Sequence, residues 1–355
     1  MMKMLEKLTV IDASTVLAGP SVGTFFAELG ATVIKVENPT IPDVTRSWKL
    51  ASEDQESPIS AYFSSVNYLK KEKSIDLKNS DGHAAFLDLI KDADILISNF
   101  KHGDEEKLGI TDETLHAINP KLIIGKINGF GDTSDRVAYD LILQAETGFM
   151  SMNGTPESGP VKMPVALIDV LAGHQLKEAL LLALIDRNTT KKGRSVSVSL
   201  YDAAVCSLMN QASNYLMAEK IPARIGSAHP NISPYGELFT TKDGDIVTFA
   251  AGSNAHFVKL CHFLDLEALT NDPRFTENIA RVKNRETLRA FIEEKVKHLT
   301  TKEILDTLIQ SNVPVAKVRN LEEVFEDEAA KALIREEDQA GISTKRVSSI
   351  AFKWH

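Results

Sequence analysis

The sequence predicts an α/β protein: a Rossmann-like parallel sheet in a large domain, with a smaller α+β domain beside it in the chain. Three observations carry this. Short apolar strand runs alternate with helix-period segments from Leu8 onward, the pattern of a parallel sheet covered on both faces. The chain has 355 residues, too many for one small core. After Ile225 the texture changes to closely spaced turn signals and a hairpin.

The elements follow in order. Leu8–Asp12 reads as a buried strand, and Ala18-Gly19-Pro20 punctuates it. Ser21–Leu29 is helical, with Val22, Phe25, Phe26 and Leu29 at helix spacing. Gly30 stops it and Ala31–Glu37 is the next strand. A polar loop with Pro42 and Pro58 intervenes. The pattern resumes with a helix over Asp81–Asp92, a strand over Asp94–Ser98, a helix over Thr111–Ile118 and a strand over Leu122–Ile127. Ligands of such sheets lie at the carboxyl ends of the strands. That directs attention to the turns at Val16–Pro20, Glu37–Pro39, Asn99–Gly103 and Asn128–Gly131. Long helices are expected over Ile168–Arg187 and Tyr201–Glu219, with a short strand at Ser195–Ser199. Beyond them Lys242-Asp243-Gly244-Asp245 signals a hairpin. Helical patterns follow at Ala255–Leu264, Asn284–Leu299 and Lys302–Gln310. The expected organisation is a large domain of residues 1–200 with 319–355, a linking helix at 201–224 and a small domain at 225–318.

Composition excludes some classes. A net charge of -9 argues against nucleic-acid binding, which needs a basic surface to displace counterions. Cys206 and Cys261 fit neither zinc nor disulfide spacing, so a reducing, cytoplasmic setting is expected, with Cys206 a small core residue. The first seven residues lead straight into a strand and leave no room for a signal h-region. The most apolar stretch, Met163–Ile185, is interrupted by Asp169, His174, Lys177 and Glu178. It therefore reads as a buried helix, and no membrane span is expected.

Few motifs carry chemistry. Glu37 ends a strand where a ribose-binding acid would stand, but Gly19 is followed by Pro20 and no G-x-G-x-x-G is present, which argues against a dinucleotide site. The nine histidines form no metal pair, and there is no nucleophile elbow or Walker loop. His174 stands five residues from Asp169, off its helix face, and reads as a satisfied buried imidazole. Asp169 opens an apolar helix. It reads first as an N-cap and second as a nucleophile whose acyl adduct local N–H groups would stabilise; the two are compatible. Lys70, Lys71 and Lys73, and Lys101 with His102, form basic clusters. They read as a solvated charge run or as groups for a phosphate-bearing ligand.

The order of segments resembles the family III CoA transferases, the CaiB/BaiF family. The stretches that carry the resemblance are Val16–Pro20, Leu29–Glu37, Lys73–Lys78, Ala93–Phe100, Leu108-Gly109 and Asn128–Gly131. They continue with Tyr139-Asp140, Gln144-Ala145, Gly148, Asp169 four residues before Gly173, Val196–Ala203, and His229-Pro230 ahead of Pro234-Tyr235. The resemblance implies an acyl-CoA:carboxylate CoA-transferase, with Asp169 as the nucleophile that carries an aspartyl-CoA thioester. It implies coenzyme A or acyl-CoA as substrate, no permanently bound cofactor, no metal, and a small or medium carboxylate as acceptor. It implies that Val16 and Ala18 line the first turn, that Lys70, Lys71, Lys73, Asn99, Phe100 and Lys101 hold the nucleotide and phosphates, and that Arg136 and Tyr139 face the thioester. It further implies an interlocked homodimer.

Three departures bear on the substrate. Leu17 replaces a glutamine of formyl-CoA transferase, and Ala250-Ala251-Gly252-Ser253-Asn254 replaces its glycine-run loop, so formyl-CoA/oxalate exchange is not expected. Family members continue past the stretch matching Ile350–Trp354, so a short member or a differently closed ring is expected. Two alternatives share the fold. An α-methylacyl-CoA racemase needs a histidine in an H-D-x-N-Y segment, where this chain has Ala138-Tyr139-Asp140. A non-catalytic CoA-binding relative is the other.

Overall fold

The computed structural model describes residues 4–339 and 341–353. Met1–Lys3, Ala340, Trp354 and His355 lie outside the described residues, and with them the start of the N-terminal segment and the Trp354 end of the last matching stretch. In chain order the elements begin with β1 (Thr9–Asp12), α1 (Ala18–Glu28), β2 (Thr32–Glu37), α2 (Ala61–Ser65), β3 (Lys71–Ser74), α3 (Ser80–Lys91) and β4 (Ile95–Ser98). Then come α4 (Asp104–Leu108), α5 (Asp112–Ile118), β5 (Ile123–Asn128), α6 (Asp140–Glu146), α7 (Phe149–Met152), α8 (Leu167–Thr190), β6 (Ser195–Ser199), α9 (Leu200–Cys206) and α10 (Met209–Ala218). The remainder is β7 (Tyr235–Thr240), β8 (Ile246–Ala250), α11 (Asn254–Phe263), α12 (Asn278–Lys283), α13 (Arg285–Val296), α14 (Thr301–Gln310), β9 (Val315–Lys317), α15 (Leu321–Phe325), α16 (Glu328–Lys331), β10 (Ile334–Gln339) and β11 (Ile342–Val347).

The chain divides into two compact units: Met1–Thr147 with Met163–Met209 and Lys331–His355, and Gly148–Lys162 with Asn210–Ala330. The first unit holds a six-stranded sheet in the order β3-β2-β1-β4-β5-β6. Every pairing in it is parallel, with Val10 opposite both Val33 and Ile95. The strand order reverses between β1 and β4, which is where ligands of doubly wound sheets bind. The central strands form because both faces are covered: all of β4 is buried, and Ile11, Phe86, Leu96, Leu115 and Ile124 share one core.

Two glycines let helix α8 lie close. A Cβ on Gly125 of β5 would come within 2.9 Å of Leu180 Cδ2. A Cβ on Gly173 would come within 2.6 Å of Ser21 Oγ and 3.2 Å of the Ala18 carbonyl oxygen, so the first turn of α1 seats against α8 one turn past Asp169. At the far side of α1 the β10–β11 hairpin is fastened by Arg346, which pairs with Glu28 at 2.5 Å with both side chains nearly excluded from solvent. Ser348 Oγ and Ser349 N also donate to Glu28, at 2.6 and 3.0 Å. Leu69 N donates to Glu337 at 3.0 Å.

The second unit holds the antiparallel sheet β7-β8-β9. Its β7–β8 hairpin turns at Gly244, in left-handed backbone at φ 87. Its core gathers Phe239, Phe249, Phe257, Ile292 and Leu308. Arg281 is fully buried and donates to Ser233 O, Phe275 O and Asn254 Oδ1, tying two loops to the start of α11.

Several local expectations change. The helix expected over Tyr201–Glu219 is two helices, α9 and α10, with Met209 at φ 42 where they meet. The helix expected from Ser21 begins at Ala18, and a separate α12 precedes α13. Cys206 is exposed, not a core residue, because the α9 face that carries it and Val205 is uncovered in this chain. His174 is exposed as well, on the outer side of α8, so the satisfied buried imidazole is not found. Among the described residues no helix is long and apolar enough to cross a membrane.

Candidate active site

Three turns from the carboxyl ends of the strands and the start of α8 converge on a cavity of about 620 Å³ in the first unit. The first is the turn after β1. Thr15 N donates to Asn99 Oδ1 and Asn99 Nδ2 donates to Thr15 O, each at 3.0 Å, which stitches the β1 and β4 turns together. Val16 follows at φ 74, a costly conformation for a β-branched residue. Its N–H donates to Asp43 Oδ2 at 3.1 Å. Asp43 is itself held by the buried Lys35, which also donates to Ser14 O. A buried ion pair thus holds a strained turn at the mouth of the sheet.

The second segment is Asn99–Gly103, after β4, with Lys101 and His102 on the cavity wall. Among the described residues Lys101 has no ion-pair partner. The third runs from Asn128 to Tyr139. Arg136 there stacks over Phe130, 3.9 Å from the ring centroid, and forks onto Glu146 at 3.0 and 2.6 Å. Lys126 of β5 is neutralised by Glu105 and Asp112, both at 2.7 Å.

The fourth segment is the start of α8. Asp169 sits in its first turn, 7% exposed, and lines the cavity. It is not the cap: the N-cap position is Ala166, which offers no side-chain acceptor. The acceptor comes from α6, where Asp140 Oδ1 takes the Ile168 N–H at 2.6 Å. Among the described residues no group donates a hydrogen bond to the Asp169 carboxylate. Burial first, and then the neighbouring Asp140 charge, push Asp169 up to about 7. Burial and the charges of Asp169, Asp140 and Asp43 push the Tyr62 hydroxyl up to about 12. Tyr62 therefore stays a neutral phenol, packed edge-on against Trp48 at 5.1 Å.

A buried carboxylate with no hydrogen-bond donor among the described residues thus faces the cavity, and the comparisons identify the family of the chain. The model of CoA-transferase family III matches residues 5–354. The chain belongs to CoA-transferase family III. It is 37% identical over 334 residues to the succinate–glutarate CoA-transferase of Agrobacterium fabrum, covering 92% of this chain and 83% of that protein. It is 34% identical over 329 residues to the succinyl-CoA:glutarate CoA-transferase of Mus musculus, covering 92% of this chain and 74% of the relative. The crystal structure of a CaiB/BaiF family protein from Brucella suis superposes with a TM-score of 0.83 at 36% identity, covering 98% of this chain and 91% of that one.

In this family III CoA-transferase, Val16, Ala18, Asn99, Phe100, Lys101, Arg136, Tyr139 and Asp169 all border the one cavity. Lys70, Lys71 and Lys73 do not. Lys70 is buried and spends its ammonium on Asp12 Oδ2 at 2.6 Å, Pro20 O at 2.8 Å and Asn67 Oδ1 at 2.9 Å. Lys71 and Lys73 lie on β3, the exposed edge strand. Glu37, considered above as a ribose acid, is taken up by Arg46 at 2.5 Å. The residue that sequence reasoning passed over is Asp140. It stood in the Tyr139-Asp140 stretch of the resemblance and at the first position of an apolar helix, and nothing local shows that it caps a different helix.

Proposed function

We propose that this enzyme moves CoA from succinyl-CoA to a four- or five-carbon dicarboxylate through Asp169. The observation that carries the proposal is the buried Asp169 carboxylate, unpaired at the cavity wall. Burial strips water from it, which makes it a stronger nucleophile and keeps water from its adducts. A carboxylate oxygen of Asp169 attacks the thioester carbonyl, the C–S bond breaks, and an acyl-aspartyl anhydride forms with CoA thiolate. The thiolate attacks Cγ of Asp169, the donor acid leaves as its carboxylate, and an aspartyl-CoA thioester remains. The acceptor carboxylate displaces the thiolate from Cγ. The thiolate then attacks the acceptor's acyl carbon and frees Asp169. Acyl activation is conserved at every step, so no nucleotide is consumed.

Asp140 favours the first step electrostatically. The repulsion between its charge and Asp169 vanishes once Asp169 is acylated and neutral. The unpaired Lys101 at the rim is the cation for a CoA phosphate, and Val16, Ala18, Asn99 and Phe100 form the wall along which CoA would lie. The dicarboxylate preference comes from the named relatives. Homodimerisation belongs to the same reading: α10 and the stretch after it leave Leu216 77%, Met217 87% and Ile221 75% exposed, a surface suited to a second copy.

The test is incubation with succinyl-CoA and glutarate, followed by hydroxylamine quenching and peptide mass spectrometry. Glutaryl-CoA should form and a hydroxamate should map to Asp169. Full turnover by Asp169→Ala, or no exchange with any of a panel of carboxylates, would sink the proposal. Deuterium uptake at the acyl α-carbon without exchange would transfer it to the racemase class.

A further inference from the structure

Helix α8 starts without a cap of its own, although Asp169 stands in its first turn. Two side chains from α6 supply what is missing. Asp140 Oδ1 accepts from Ile168 N at 2.6 Å, and Asp140 Oδ2 accepts from Gln144 Nε2 at 2.6 Å. Gln144, 1% exposed, also accepts from Met163 N at 2.7 Å through its Oε1. The lead-in to α8, from Met163 to Ile168, is therefore pinned at both ends by one turn of α6. An acid in the first turn of a helix ordinarily turns back onto the free N–H groups. Here those groups are partly served from 28 positions upstream, and Asp169 keeps its oxygens for the cavity.

We infer that Asp140, locked by Gln144, is a positioning residue that caps α8 from α6 so that the Asp169 carboxylate is both fixed in place and left unengaged. The inference rests on Asp169 being the nucleophile. It assigns Asp140 no contact with substrate. Without the cap, the first turn of α8 loosens and Asp169 can turn onto Ile168 N, withdrawing the nucleophile from the acyl carbon. A displacement of about 1 Å at a reacting group costs roughly 10²-fold in rate.

The test compares Asp140→Ala, Asp140→Asn and Gln144→Ala in the full chain, with succinyl-CoA and glutarate. Asp140→Ala should lose roughly 10²-fold in kcat, while KM for succinyl-CoA moves by less than about threefold, since the CoA wall is untouched. Asp140→Asn keeps an oxygen for Ile168 N and should recover most of that loss. The single-turnover rate of hydroxamate formation at Asp169 should fall in parallel with kcat. An Asp140→Ala enzyme with unchanged kcat, a loss confined to KM, or a loss that Asn does not recover would each overturn the inference. If Asp140→Ala does not fold, reduced kcat in Gln144→Ala supports the inference, and unchanged kcat there overturns it. An active Asp169→Ala enzyme would remove the nucleophile reading itself. An inactive one beside a fully active Asp140→Ala would remove only this inference.

Discussion

Lys70 Nζ and Asp12 Oδ2 meet at 2.6 Å, with both side chains out of solvent. Burial lowers the Lys70 ammonium to about 8 against the pull of Asp12. Burial alone would raise Asp12, but Lys70 and Lys35 outweigh it and hold the carboxyl below its ordinary value. The pair closes the floor under the β1 turn. A phosphate ligand and a structural cation respond differently to mutation. Lys70→Met should leave Asp12 buried beside Lys35 alone and cost about 3–5 kcal/mol in urea unfolding. The double variant Asp12→Leu/Lys70→Met should be more stable than that single one. A weakened CoA affinity with unchanged stability would assign Lys70 to phosphate instead.

The reaction should have an acid limb set by Asp169. In the proposed mechanism attack needs the carboxylate, and burial with the Asp140 charge pushes that group up to about 7. Below that pH, kcat/KM should fall about tenfold per unit. Because the Asp140 charge is one of the two causes of the upward shift, Asp140→Asn should move the limb to lower pH. The cavity lining also carries Lys101, His102, Glu105, Glu106, Asp112, Lys126, Asp132, Asp135, Arg136 and Tyr139. A limb that stays in place in Asp140→Asn would overturn the assignment of the shift to the Asp140 charge. The pH–rate profiles of the two enzymes decide.

Removing the Asp169 carboxylate should stabilise the fold. In the folded chain Asp169 titrates near 7, in the unfolded chain near 3.8. Below the unfolded value both states are protonated and the buried carboxyl costs nothing extra. As pH rises through the window to about 7, the unfolded chain sheds its proton first, and stability is lost. Asp169→Asn should therefore raise stability at pH 8 by up to about 4 kcal/mol and change little at pH 4. Thermal unfolding at the two pH values checks the sign.

Gly173→Ala should be felt at the site without touching it. Its Cβ would press on Ser21 Oγ and the Ala18 carbonyl, and Ala18 borders the cavity. Overpacking of this kind costs about 1–3 kcal/mol. The added spacing between α1 and α8 should raise KM for acyl-CoA, as Val16 and Ala18 shift relative to Asp169. A variant with wild-type unfolding and kinetics would contradict the close seating of the two helices.

The sheet was legible because its central strands are buried on both faces, and continuous apolar runs such as Ile95–Ser98 announce that. The edge strand β3 was not. Lys71–Ser74 shows four exposed residues, and only its pairing with β2 makes it a strand. Lys70 looked like the first of three surface lysines, yet its neighbour Leu69, at φ 59, turns the chain so that Lys70 alone points inward. His174 and Cys206 sit in apolar helices whose outer faces are uncovered in this chain, so an apolar neighbourhood in sequence misled about burial. Asp169 was found in the first turn of its helix, and reading it as the cap followed the local rule. The rule fails because the cap arrives from α6, and a rule about neighbours cannot register a partner 28 positions away.

The pairing of Glu28 with Arg346 spans 318 positions. At about 5–20 residues per second of synthesis, the carboxylate waits roughly 15 to 60 seconds for its counter-ion. During that interval β1 to β6 can already be laid down, but the Glu28 carboxylate of α1 still lacks the three hydrogen bonds it accepts from Arg346, Ser348 and Ser349. The nascent first unit is thus unfinished in one specific place until the β10–β11 hairpin emerges. A polypeptide stalled or clipped before Arg346 would display that gap, and one that includes the hairpin would not.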